Sequence, residues 1–121
     1  MKKLLIALFI LILAISTIAL ARDINRITAP ATASATAITG ACLFYGITVM
    51  TDGTNNVTLN IYDNTAASGT RLIPANFIVP GTGRYFSYSP PLPIRCTNGV
   101  HVTVTVAGGG TCSYQVLYDR G

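Results

Sequence analysis

The chain has no tryptophan and no glutamate, its only lysines are Lys2 and Lys3, and His101 is its single histidine. Charged residues make up 10% of the 121 positions. Each shortage removes a class of function. A lone histidine has no partner with a reason to converge on it as a general base or a metal site, and His101 falls on the polar side of a Val/Thr run, where a solvated role is expected. Without glutamate, an acid pair or calcium site would have to come from Asp52, Asp63 and Asp119, whose spacing matches no calcium loop. They read as turn-forming and capping residues. Gly108-Gly109-Gly110 lacks the Lys and Ser/Thr of a phosphate loop and reads as a hairpin tip. No catalytic residue, metal or cofactor is therefore expected. Nor is a nucleic-acid partner, because affinity for phosphates needs clustered cations. Beyond residue 21 the arginines at 22, 26, 71, 84, 95 and 120 are scattered.

What the chain does have begins at its N-terminus. Lys2 and Lys3 precede an apolar run from Leu4 to Ile15, which continues through Ser16 and Thr17 to Ala19-Leu20-Ala21. A basic start, an apolar segment and small residues at Ala19 and Ala21 form the order of an export signal. Cleavage is expected after Ala21, because a cut one position later would place the large, charged Arg22 in the small peptidase pocket. Retained instead, Leu4 to Ala21 would span roughly 27 Å and act as a membrane anchor. No cysteine precedes Cys42, so a lipid anchor is not expected. The protein is expected to be secreted, periplasmic or on the cell surface, touching a membrane only through residues 4–21 if they are kept. Removal of residues 1–21 leaves enough chain for one domain. Its six arginines and four aspartates lower the formal net charge from +4 to +2.

Three cysteines, Cys42, Cys96 and Cys112, would enter an oxidising compartment, where one pair is expected to form a disulfide. Cys96 with Cys112 is favoured because both flank one predicted hairpin. Cys42 with Cys112 is the alternative, joining the first and last core strands.

Residues 22–40 are rich in Ala, Thr and Ser, contain Pro30, and show neither helical nor strand periodicity, so a loose extended arm is expected. The β-domain is expected to occupy 41–121. Within it, short β-prone runs span Cys42 to Met50, Val57 to Tyr62, Leu72 to Val79, Arg84 to Tyr88, Val100 to Val106 and Ser113 to Tyr118. Pro74 makes the third the weakest. Turn residues separate the runs: Asp52-Gly53, Ser68-Gly69, Pro80-Gly81, Pro90-Pro91, Asn98-Gly99 and the triple glycine. Val100, Val102, Val104 and Val106 alternate with His101, Thr103 and Thr105, and Cys112, Tyr114, Val116 and Tyr118 share a face. No helical segment is available for parallel crossovers. The fold class expected is all-β, a small antiparallel β-sandwich of jelly-roll type behind the signal or anchor helix. Alternation is expected to bury many of the tyrosines, with Phe44, Phe77 and Phe86, in its core. Tyr62, Tyr85 and Tyr88 are the candidates for ligand contacts, as a platform on which sugars could stack. Asn56-Val57-Thr58 fits a glycosylation acceptor for a eukaryotic secretory pathway.

Three stretches, Leu43-Phe44-Tyr45-Gly46-Ile47-Thr48-Val49, Val57 through Thr70, and Pro93 through Val100, follow one another in an order that resembles small β-sandwich proteins of tailed bacteriophages and environmental phage sequences. The resemblance covers residues 38–119. It implies a structural or decorating component that works by assembly and carries no enzymatic residues. Residues 1–21 depart from that pattern, because tailed-phage virion proteins are usually made without export signals. The function expected is an exported, non-enzymatic structural or surface-assembly protein. Its partners would be copies of itself or a surface or virion assembly. The alternative is a secreted glycan-binding module.

Overall fold

Val100 and Val102 are fully buried, whereas Thr105, on the opposite face of the same run, is exposed, and Leu59 and Ile61 are buried on either side of a half-exposed Asn60. This two-residue period, in segments dominated by β-branched residues, commits the chain to strands with one wet and one dry face. The computed structural model describes residues 26–120. They form nine strands: β1 (Arg26–Ile27), β2 (Ala35–Thr39), β3 (Cys42–Thr51), β4 (Val57–Tyr62), β5 (Phe77–Val79), β6 (Tyr85–Tyr88), β7 (Ile94–Cys96), β8 (Gly99–Val106) and β9 (Cys112–Asp119). Among the described residues no helix is long and apolar enough to cross a membrane. The expected signal at 1–21, with Ala19 and Ala21, lies outside the described residues.

The strands form two antiparallel sheets, β1-β9-β3-β6 with β7 also on β3, and β2-β8-β4-β5. The pairings are nested. β1 lies on β9, β2 on β8, β3 on β6 and β7, and β4 on β5. The outward half of the chain thus pairs with the returning half, and the long hairpin is rolled so that β3 also pairs with β9 and β4 with β8. If β6 and β7 are counted as one interrupted strand, this is the eight-stranded jelly roll. Between the sheets lie Phe44, Ile47 and Val49 of β3, Leu59 and Ile61 of β4, Val100 and Val102 of β8, and Tyr114 and Val116 of β9, each at most 2% exposed. Burying one such aliphatic side chain contributes about 1.5–3 kcal/mol, so this interior dominates stability.

Residues 26–40, the described part of the expected loose arm, are instead built into both sheets. β1 begins a segment that runs along β9. Thr28 N donates to Val116 O, Ala31 and Tyr114 exchange backbone hydrogen bonds, and the Tyr114 hydroxyl donates to Ala33 O at 2.8 Å. β2 then crosses to the other sheet, where Ile38 enters the core. Edge strands bury little, so small Ala and Thr side chains suffice there and leave no strong period to read. The expected strand at Leu72–Val79 is shortened to β5. Leu72 and Ile73 are buried as loop residues, and Pro74 cannot donate to a ladder.

β3 carries a bulge between Phe44 and Gly46 in its register with β9. On its other side, Pro90-Pro91-Leu92-Pro93 separates β6 from β7 at the same level. Gly46 has φ +153, and a Cβ there would overlap the Tyr88 carbonyl oxygen. Glycine is what lets the interrupted edge strand press against the bulge.

Candidate functional site

The loops gather at two ends of the roll, and each end is tied by one aspartate. At the first, the Asp52 carboxylate accepts hydrogen bonds from the Thr54, Asn55 and Thr111 amides and from Asn55 Nδ2, at 2.8–3.2 Å. The β3–β4 and β8–β9 loops are held together this way. These donors, led by the Asn55 side chain and amide, keep the Asp52 carboxyl well below its ordinary value. At the opposite end, Asp63 after β4 accepts from the amides of Thr97 and Asn98 at 2.9–3.0 Å and anchors the β7–β8 loop to the other sheet. Both aspartates therefore act as turn and loop clamps.

The Asp63 end also holds a depression of about 350 Å³, lined by Ala41, Cys42, Leu43, Arg95, Cys96, Thr97 and Arg120. Its rim is cationic. Arg95 and Arg120 are exposed, and Arg120 Nη1 donates to Thr39 O at 2.9 Å. Its floor is formed by the two thiols. Cys42 on β3 and Cys96 on β7 are directly opposed in register and are 4% and 0% exposed. Burial pushes both thiols up, and Cys96, beside Cys42 and Asp63, is pushed up to about 12. At neutral pH they are thus thiols rather than thiolates, and poor nucleophiles. Among the described residues no three His, Cys, Asp or Glu side chains cluster as a metal site would require.

The disulfide pairings expected from sequence are not compatible with this arrangement. Cys112 lies opposite Thr51, at the far end of β3 from Cys42. Nine residues of strand separate the two ends, about 30 Å, whereas a disulfide requires Cα atoms within about 7 Å. Neither Cys96 with Cys112 nor Cys42 with Cys112 can close without unfolding the roll.

His101 is half-buried on β8 and within 2.9 Å of Thr36 Oγ1. The Thr36 hydroxyl donates its one proton to Thr65 O at 2.8 Å, so its oxygen accepts from His101 Nδ1–H, which defines the tautomer. The imidazole ties β8 through β2 to the loop after β4.

The tyrosine candidates are not brought together. Tyr62 is 9% exposed and lies under the Arg71 guanidinium, 5.6 Å from the ring centroid. Tyr88 faces the interior beside Phe86, and Tyr85 points outward from the same strand. A stacking platform made of these three does not exist. Tyr85 instead stands opposite Met50 on the outer face of its sheet, and the two are 60% and 58% exposed. They join β3 to β6, an edge strand stacked over β5, the edge of the other sheet. Phe77 and Phe86 close that side with ring centroids 5.3 Å apart. Behind them Ile47, Leu59, Ile73 and Tyr88 pack too tightly to admit water. Ile78 of β5 is also 58% exposed. The sequence reading singled out neither Met50 nor Ile78, although the parity of Ile47 and Val49 already sends Met50 outward.

Comparison of the chain with family models, with curated proteins and with solved structures returned no match.

Proposed function

We propose that this chain is an exported, non-enzymatic structural protein that acts by assembly, with copies of itself or with a surface or virion component. The observation that carries the reading is the open side of the roll. There two strand edges, β5 and β6, that have no strand partner among the described residues run together, and Met50, Tyr85 and Ile78 present large apolar side chains to solvent. An edge strand offers a row of unpaired amides and carbonyls, and exposed apolar side chains around it are what a partner would bury. The polar side chains with chemical reach are spent on architecture: Asp52 and Asp63 on loops, and His101 on the β2–β8 contact. The resemblance of residues 38–119 to phage β-sandwich proteins agrees with the assembly reading, and jelly rolls recur among capsid and lectin domains, although fold alone assigns no role. The glycan-binding alternative loses its main support, because Tyr62, Tyr85 and Tyr88 share no surface.

Sedimentation velocity on the exported protein, across micromolar concentrations, tests the reading. Wild type is expected to sediment as an oligomer or with a partner. The double variant Met50→Lys, Tyr85→Lys is expected to be monomeric with an unchanged circular dichroism spectrum. A wild type that stays monomeric and recovers no partner from its native envelope overturns it.

A further inference from the structure

We propose that Cys42 and Cys96 are the disulfide-forming pair of this protein, that their bond fastens β7 to β3 across the floor of the depression, and that Cys112 stays a free buried thiol. Three observations carry this. The two residues are opposed in the antiparallel β3–β7 register, where Cα atoms stand about 4.5–5.5 Å apart, inside the range that disulfides use. As directly opposed residues their side chains fall on the same face of the sheet, and both line the same depression. The third cysteine is placed by its register with Thr51 at the other end of the roll. The site also has a structural reason to be tied. β7 is three residues long and follows the Pro90-Pro91-Leu92-Pro93 interruption, so little else holds it to β3.

The oxidant is a disulfide, either that of a protein thiol oxidase or a small-molecule disulfide such as oxidised glutathione. One cysteine sulfur attacks the oxidant's disulfide, forming a mixed disulfide and releasing one oxidant thiol. The second sulfur then displaces the other oxidant thiol. Two S–H bonds and one oxidant S–S bond break, and the Cys42–Cys96 bond and two oxidant thiols form. Both sulfurs are buried once β7 is docked, so the exchange takes place while β7 is still off β3, as the chain folds. Oxidation in the cell rests on the export reading, whereas the pairing itself does not.

The experiment therefore has two arms. In the first, full-length protein is reduced, denatured and refolded in the presence of oxidised glutathione, and trypsin peptides are mapped without reduction. Cys42 falls in the peptide 27–71, and Cys96 and Cys112 fall together in 96–120. The expected product joins these two peptides, with fragmentation placing the link at Cys96 and one alkylatable thiol per denatured chain. Cys112→Ser is expected to keep the bridge with no free thiol, and Cys42→Ser to leave two. A loop internal to 96–120, a link at Cys112, or three free thiols after oxidation each overturns the proposal. In the second arm the same map is made on protein taken directly from the cell envelope. The Cys42–Cys96 bridge there supports both the pairing and export. Three reduced thiols there, from protein that forms the bridge with glutathione, uphold the pairing and count against export.

Discussion

Three glycine-to-alanine substitutions separate backbone strain from steric overlap in this fold. Gly83 has an ordinary φ and open space where a Cβ would stand. Gly109 has φ +70 and the same open space. Gly46 combines φ +153 with overlap between the new Cβ and the Tyr88 carbonyl. Gly83→Ala should be neutral or stabilise by about 0.4–1 kcal/mol, because alanine narrows the unfolded ensemble. Gly109→Ala sets that gain against about 1–2 kcal/mol for a left-handed residue, a net loss of about 0.5–1 kcal/mol. At Gly46 the backbone strain costs about 1–3 kcal/mol. The overlap must also push β6 off the bulge and weaken the Ile47–Tyr88 end of its ladder, at about 1 kcal/mol per hydrogen bond. The total is about 3–4 kcal/mol. At about 4–8 °C per kcal/mol for a domain of this size, Gly46→Ala should melt roughly 12–30 °C below wild type. Thermal unfolding followed by circular dichroism, with urea titrations for free energies, reads all three. A Gly46→Ala protein within a few degrees of wild type, or a Gly83→Ala loss as large as that at Gly46, would refute the reasoning.

Tyr114→Phe removes the hydroxyl that holds the 26–34 segment at Ala33 O while keeping the buried ring. It should cost about 1 kcal/mol, and faster amide exchange in residues 28–34 than in β4 would locate the loss. For Asp52, a carboxyl held below its ordinary value stabilises the fold fully above about pH 4 and loses that contribution as pH falls through the native value. Asp52→Asn should therefore melt below wild type at pH 7, and the two curves should converge toward pH 2. Parallel dependence of Tm on pH would show that the clamp contributes nothing to acid stability.

The strands readable in the sequence are those that bury one whole face. In β4 and β8 the valines, leucine and isoleucine that alternate along the chain are the residues found between the sheets, and Cys112, Tyr114 and Val116 of β9 share the inward face as their spacing suggested. The strands that escaped reading have little to bury. β1 and β2 lie at edges and use Ala and Thr, and β7 is a three-residue remnant beyond three prolines. The turn roles of Asp52 and Asp63 were legible as turn chemistry, but the loops they join are remote in sequence. The cysteine pair was hidden for the same reason. Spacing along the chain favoured Cys96 and Cys112 as hairpin neighbours, whereas the roll sends their strands, β7 and β9, to opposite sides of β3. Which strands flank β3 is decided by how two halves of the chain wrap, and no local pattern encodes that.

The nested pairing has a consequence in time. Arg26 finds its partner at Tyr118 on β9 and Ile38 finds its partner at Val100 on β8, so each early strand waits for a late one before it can dock. Chains dominated by such distant contacts fold in milliseconds to seconds, slowly for their size. A chain threaded through a membrane from its N-terminus would reach the far side with β1 and β3 still lacking β9, and so could not close the β1-β9-β3-β6 sheet until its last strand emerged. In such a chain the topology alone would hold that sheet open until its last strand had crossed.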